Sequence, residues 1–131
     1  MSLFCSMMRH LFLVVAIVLL GSCQPPPERD CKAFRKGTFS FTALVDGAEK
    51  TTIFARSENI EIEEFEGVKD TSSIRWINDC EYVLKKLNPK NRLEEKSIHI
   101  KILTTSDSSY TFEYNAIGEK QKFRGEALKI H

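Results

Sequence analysis

The sequence predicts an all-β domain: an antiparallel up-and-down meander of seven or eight strands, closed or curled into a barrel. Three observations lead there. Apolar and polar residues alternate with period two over most of residues 38–130, the pattern of a strand with one buried face. Short polar segments containing Gly, Asp, Asn or Pro interrupt that alternation repeatedly, and strands joined by tight turns usually neighbour each other. No stretch of the domain carries a convincing amphipathic helix. Closure removes the exposed edges of such a meander. A two-sheet β-sandwich is the alternative.

The elements follow in order. Phe39, Phe41, Ala43 and Val45 alternate with Thr38, Ser40, Thr42 and Leu44. Asp46-Gly47 marks a two-residue hairpin turn, since Gly tolerates positive φ, and Thr51 to Arg56 returns. Ser57-Glu58-Asn59 turns the chain into Ile60 to Phe65, and Gly67 to Ser73 reads as a polar loop. Residues 74–87 admit two readings. Ile74, Trp76, Cys80, Tyr82 and Leu84 share one parity, which favours a single long bent strand. The other reading puts a hairpin tip at Asn78-Asp79, pairing Arg75 with Tyr82 and Trp76 with Glu81. Asn88 to Glu95 contains Pro89 and is a loop. Ser97 to Leu103 places Ile98, Ile100 and Ile102 inside, with His99 and Lys101 outside. Thr104 to Ser108 is a turn. Tyr110, Phe112 and Tyr114 alternate with Thr111 and Glu113, and Gly118 turns the chain again. Lys122 to Ile130 is the last strand, with a change of parity between Phe123 and Leu128 that predicts a bulge near Gly125.

Ahead of this domain stands an export signal, residues 1–22. Leu11 to Leu20 is an unbroken apolar run, too short for a spanning helix of ~20 residues but suited to a secretory leader. It ends in Leu20-Gly21-Ser22-Cys23, which resembles the lipobox of bacterial lipoproteins rather than an ordinary secretory cleavage site. The resemblance implies that Cys23 becomes the acylated first residue of the mature chain. Two or three acyl chains anchor a protein stably where one does not. Residues 23–30 then form a tether, whose Pro25-Pro26-Pro27 favours an extended polyproline II path. Gln24 after the Cys implies, by resemblance to bacterial sorting rules, lipid anchorage to the outer membrane, on its periplasmic or its surface face. Residues 31–131 are a single β domain.

Removing the leader takes Cys5, and lipid takes Cys23, which leaves Cys31 and Cys80 in an oxidising compartment. They are expected to form one disulfide, closing a loop of about 50 residues worth up to ~4 kcal/mol by loop entropy. The 19 basic residues less Arg9 equal the 18 acidic ones. A neutral domain without a basic face does not fit nucleic-acid binding. No metal site is expected, because His99 and His131 have no partners at ligand spacing. No catalytic residues and no cofactor are expected: hydrolase, metalloprotease, phosphate-loop and dinucleotide signatures are all missing from the sequence. Glu61, Glu63, Glu64 and Glu66 read as a solvated outer strand face.

Around Trp76-Ile77-Asn78-Asp79-Cys80-Glu81-Tyr82, preceded by Gly37-Thr38-Phe39-Ser40-Phe41 and Arg56, residues 11–130 resemble a group of small Gram-negative lipoproteins of unknown function. That group often carries a label as a DNA topoisomerase IV subunit. A topoisomerase subunit needs several domains, a strand-cleaving Tyr and a basic DNA path, and one short neutral exported domain offers none of them. The architecture is also similar to the lipocalin barrels, and function does not follow from fold.

Two roles fit these observations. The first is a structural or interaction module, without catalytic activity, that meets an envelope protein partner through its surface. The second is a lipocalin-like barrel holding one small apolar or aromatic ligand. Phe41, Arg56, Trp76, Tyr82 and Phe112 are then the candidate lining residues, with Phe39, Tyr110 and Tyr114 on the same faces by parity and Arg56 placed to orient a carboxylate. An enclosed cavity with a buried polar anchor distinguishes the second role; a solid core with an apolar surface patch distinguishes the first.

Overall fold

The computed structural model of the chain describes residues 28–131. The leader, Cys23 and most of the tether lie outside the described residues. A 3-10 helix, Cys31–Phe34, precedes eight strands: β1 Gly37–Val45, β2 Ala48–Arg56, β3 Ile60–Phe65, β4 Val68–Asn78, β5 Glu81–Lys86, β6 Ile98–Thr105, β7 Ser109–Ala116 and β8 Phe123–Lys129. Each strand pairs antiparallel with the next, and β8 returns to β1 to close the barrel. The architecture is the up-and-down barrel, and the sandwich is excluded.

Turn chemistry explains the tightest corners. Asp46 and Gly47 both have positive φ (52° and 80°), and Glu66 and Gly67 repeat the pair (50° and 80°). Two central residues of this kind make the turn whose twist matches paired strands. Val45 therefore faces Ala48, and Phe65 faces Val68. The second of these turns corrects the expectation of a polar loop over Gly67 to Ser73, because Gly67 completes the turn and Val68 to Ser73 are the first half of β4.

Residues 74–87 are a hairpin, not one long strand. Asn78 pairs with Glu81 across Asp79-Cys80, and the Asn78 side chain accepts a hydrogen bond from the Cys80 N–H at 2.9 Å. The register then shifts between Trp76 and Asn78, leaving Ile77 as an extra residue. That one-residue bulge restores sidedness: Trp76 faces Tyr82 and Arg75 faces Val83. No bulge occurs at Gly125, since β7 and β8 pair without a break from Ser109↔Leu128 to Tyr114↔Phe123. Leu128 simply faces outward, and Gly125 makes room for rings. A Cβ there would lie 2.9 Å from Phe112 and closer still to Phe41.

The two ends of the barrel differ. Tight turns after β2, β4 and β6 crowd one end together with the 3-10 helix. Phe34 and Cys31 of that helix are buried at 1% and 2% exposure, so the helix plugs the barrel floor. Phe34 packs against Tyr110 at 5.2 Å between ring centroids and against Phe39 at 6.3 Å. The Cys31–Cys80 disulfide ties the plug to the β4–β5 turn. The longer connections after β5 and β7 lie at the other end, with the β1–β2 and β3–β4 turns. That end is the mouth.

The barrel closes at a short seam. Phe39↔Lys129, Ser40↔Leu128 and Phe41↔Ala127 pair β1 with β8, and Thr38 extends the join by backbone hydrogen bonds with Ile130 and His131. Beyond Phe41, β1 runs on with β2, and β8 runs on with β7. The disulfide is the main covalent brace of the floor, and the Cys31→Ala/Cys80→Ala double variant should lose up to about 4 kcal/mol. Urea unfolding of residues 24–131 measures this; a loss below about 1 kcal/mol would show that packing of Phe34 alone holds the plug.

Candidate functional site

The site is the upper half of the barrel interior. A cavity of ≈ 250 Å3 opens there, smaller than the roughly 300–1,000 Å3 of sites for drug-sized ligands. Phe41, Tyr110, Phe112 and Tyr114 line one side, and Leu84, Ile98 and Ile100 another. The rings contact one another edge-on or tilted: Phe41 to Phe112 at 5.3 Å and Phe112 to Tyr114 at 5.7 Å. These residues point inward because they occupy alternate positions of their strands, as the period-two pattern requires. Phe41 also borders a second hollow of ≈ 400 Å3 at the seam, with Thr42, Ala43, Arg124, Gly125 and Glu126. Its ring therefore separates the central cavity from the side gap.

The cavity floor is a buried charge network. The Arg56 side chain is fully buried, and its Nε donates to Glu61 Oε2 at 3.0 Å. Nη1 donates to the Phe34 carbonyl at 2.7 Å, and Nη2 donates to the Tyr82 and Tyr110 hydroxyls at 2.6 and 3.0 Å. Four of the five N–H groups of the guanidinium are thus satisfied. Its charge also lies 4.6 Å from the Tyr82 ring centre and 4.9 Å from that of Phe39, within cation–π range. Burial opposes the Arg56 charge, but the Tyr82 and Tyr110 oxygens and the Glu61 carboxylate outweigh it, so its pKa rises and it stays charged. Burial pushes both tyrosine hydroxyls above their ordinary range, so they remain neutral. Breaking such a buried pair by removing one partner costs about 3–5 kcal/mol.

Two carboxylates rise from this floor into the cavity. Glu61 is 6% exposed and lines the cavity; one oxygen accepts from Arg56, and the other accepts no hydrogen bond from the described residues. Glu63 is one inward position further up β3, is half-buried, and makes no hydrogen bond or ion pair among the described residues. Burial pushes the Glu63 carboxyl up, Lys86 pulls it down, and Asp70, its cross-strand neighbour, adds to the rise. Lys86 itself is held by Asp70 at 3.3 Å and Glu94 at 3.0 Å.

These positions correct the reading of the acidic run as a solvated outer face. Glu61 and Glu63 point in, while Ile62 points out at 43% exposure. The cross-strand pairing explains it: Arg56 faces Glu61 and Phe54 faces Glu63, so β3 inherits the inward parity of β2. Arg56 carries the signal that sequence reasoning missed, since a cation destined for an apolar interior needs a buried acid. Of the five candidate lining residues, Phe41, Tyr82 and Phe112 border the cavity together. Arg56 lies beneath its floor with its donors already engaged. Trp76 lies lower still, 4.6 Å from the Tyr82 ring and under the Arg35 guanidinium at 4.8 Å. Arg56 is therefore not placed to receive a ligand carboxylate. His99 pairs with Glu81 at 3.0 Å on the outer wall. Among the described residues, no three His, Cys, Asp or Glu side chains group as metal ligands.

Large apolar side chains surround the mouth. Leu44, Val45, Val68, Leu87, Leu93, Ile117 and Phe123 are exposed, and all belong to the strand ends and connections at that end of the barrel. No protein-family model, curated protein or solved structure matches the chain.

The Glu63 shift has a sign. A carboxyl raised in the folded state takes up its proton there at higher pH than in the unfolded chain, so stability falls as pH rises from the ordinary range near about 4.3 through the raised value. Above that value the loss persists. Glu63→Gln should therefore raise the urea midpoint at neutral pH and leave it nearly unchanged at the acidic end of the window. Equal midpoint gains at both pH values would show that the effect is not titration of Glu63.

Proposed function

We propose that this protein is a non-catalytic, lipid-anchored envelope lipoprotein whose barrel is a cup for one small, largely apolar ligand. One observation carries the reading: the barrel is solid only in its lower half, and above the Arg56 network an apolar cavity opens around two carboxylates. A barrel built only as a scaffold gains nothing from that space, because close-packed interiors are more stable than hollow ones. The anchor at Cys23 and the sorting to the outer membrane rest on the lipobox resemblance and on Gln24. Residues 28–31 join the domain at its floor: Arg29 donates to the Ile102 carbonyl at 2.7 Å, and Thr105 Oγ1 accepts from the Asp30 N–H at 2.9 Å. A tether ending there leaves the mouth free on the opposite side.

The competing proposal is an interaction module that docks an envelope protein through its surface. The apolar rim of the mouth favours it.

Native mass spectrometry of residues 24–131, purified from the host envelope, separates the two. The cup reading expects a reproducible added mass that disappears in Thr52→Trp, whose indole would fill the upper cavity beside Phe41. A bare mass in both proteins supports the interaction module. Metabolic labelling with an alkyne fatty acid tests the anchor: the full chain should label and pellet with membranes, and Cys23→Ala should do neither. Labelling that survives Cys23→Ala would overturn the lipobox reading.

A further inference from the structure

The cavity has one feature that an apolar ligand alone leaves unexplained. Glu63 holds an ionisable carboxyl in a partly desolvated, aromatic-walled space, where the neighbouring cation, Lys86, is ion-paired to other carboxylates and not to Glu63. The nearby cations are committed. Arg56 is engaged by Glu61, Tyr82, Tyr110 and Phe34, and Lys86 by Asp70 and Glu94. Glu61, a side chain more than nine-tenths buried, also lines the cavity, and only one of its two oxygens is bonded to Arg56.

We infer that the ligand of the cup is an organic cation, with an ammonium or guanidinium head set against Glu63 and the free oxygen of Glu61, and an apolar body against Phe41, Phe112 and Tyr114. The inference rests on the cup reading and names its ligand class. Three arguments converge on it. A buried carboxylate is costly unless it is paired, and a ligand cation supplies the missing pair as a charge-assisted hydrogen bond. Aromatic faces present negative charge to a cation, and Phe41, Phe112 and Tyr114 line the same cavity as the carboxylates. An anionic ligand would meet Glu61 and Glu63 without a free positive group to receive it, since Arg56 is engaged by Glu61, Tyr82, Tyr110 and Phe34, and Lys86 by Asp70 and Glu94. The charged groups around Glu63 are the Glu61–Arg56 pair, Asp70 on β4 and Lys86 on β5, with Glu94 from the loop after β5. Two cations stand against three acids besides Glu63 itself, and that negative balance again favours a cation.

The experiment uses residues 24–131 with the disulfide intact and three probes of nearly equal size: phenethylammonium, 2-phenylethanol and phenylacetate. Amide chemical shifts of cavity residues report binding. The ammonium should bind about tenfold or more tightly than the alcohol, and phenylacetate should bind weakest. Glu63→Gln should cancel the preference for the ammonium while leaving the alcohol affinity in place. Alcohol or phenylacetate binding at least as tight as the ammonium would overturn the inference and leave the cup reading standing, as would an ammonium preference that survives Glu63→Gln. If none of the three probes shifts the cavity amides of the wild-type domain, the cup reading fails and the inference with it.

Discussion

The guanidinium of Arg56 holds this barrel in its observed form. It sits at the end of β2 and reaches the plug through Phe34, β3 through Glu61, β5 through Tyr82 and β7 through Tyr110. Five elements, from the plug to β7, therefore share one buried charge. A charge in an apolar interior is tolerated only when its donors are satisfied, so the surrounding groups are constrained to face it. Tyr82 and Tyr110 cannot turn outward, β3 must present Glu61 inward, and the plug must place its carbonyl over the floor. The network thus selects the register of β3 and seals one end of the barrel at once.

The division of the interior into a packed lower half and an open upper half follows from this. Below, Phe34, Phe39, Phe54, Tyr82 and Tyr110 crowd the guanidinium, with the Phe39 and Phe54 rings stacked at 5.3 Å. Above, Gly125 replaces a side chain altogether to seat Phe41 and Phe112. Carboxylates occur on both levels. On the lower level Glu61 is ion-paired to Arg56; on the upper level Glu63 has no ion pair among the described residues.

Much of the fold was legible in the residues. Alternation marks β1, β6 and β7 directly, and Asp46-Gly47 announces its own turn. The thiols of Cys31 and Cys80 pair as expected. Other features were hidden for identifiable reasons. The Glu66-Gly67 turn puts Glu at a positive φ, where Asn or Asp is the usual marker. The hairpin at Asn78 was obscured because the bulge at Ile77 makes a broken strand look continuous in parity. The lining acids were misread because β3 alternates Ile with Glu, and isolated alternation does not say which face is inside. The candidate lining residues were chosen by parity, which gives a face but not a depth. Trp76 and Arg56 share the inward face with Phe41 and Phe112, and lie too near the floor to border the open space.

The short seam between β1 and β8 bears on how such a barrel comes to exist. Every other strand pair joins neighbours in sequence, so its contacts form across short loops at small entropic cost. The two ends of the domain meet at the seam through three residue pairs and the backbone hydrogen bonds of Thr38 with Ile130 and His131, and again at the plug, through the Cys31–Cys80 bridge and the Phe34–Tyr110 contact. The chain can therefore assemble as a growing ribbon of hairpins and close late, with most of the loop-closure entropy concentrated in the seam and the plug.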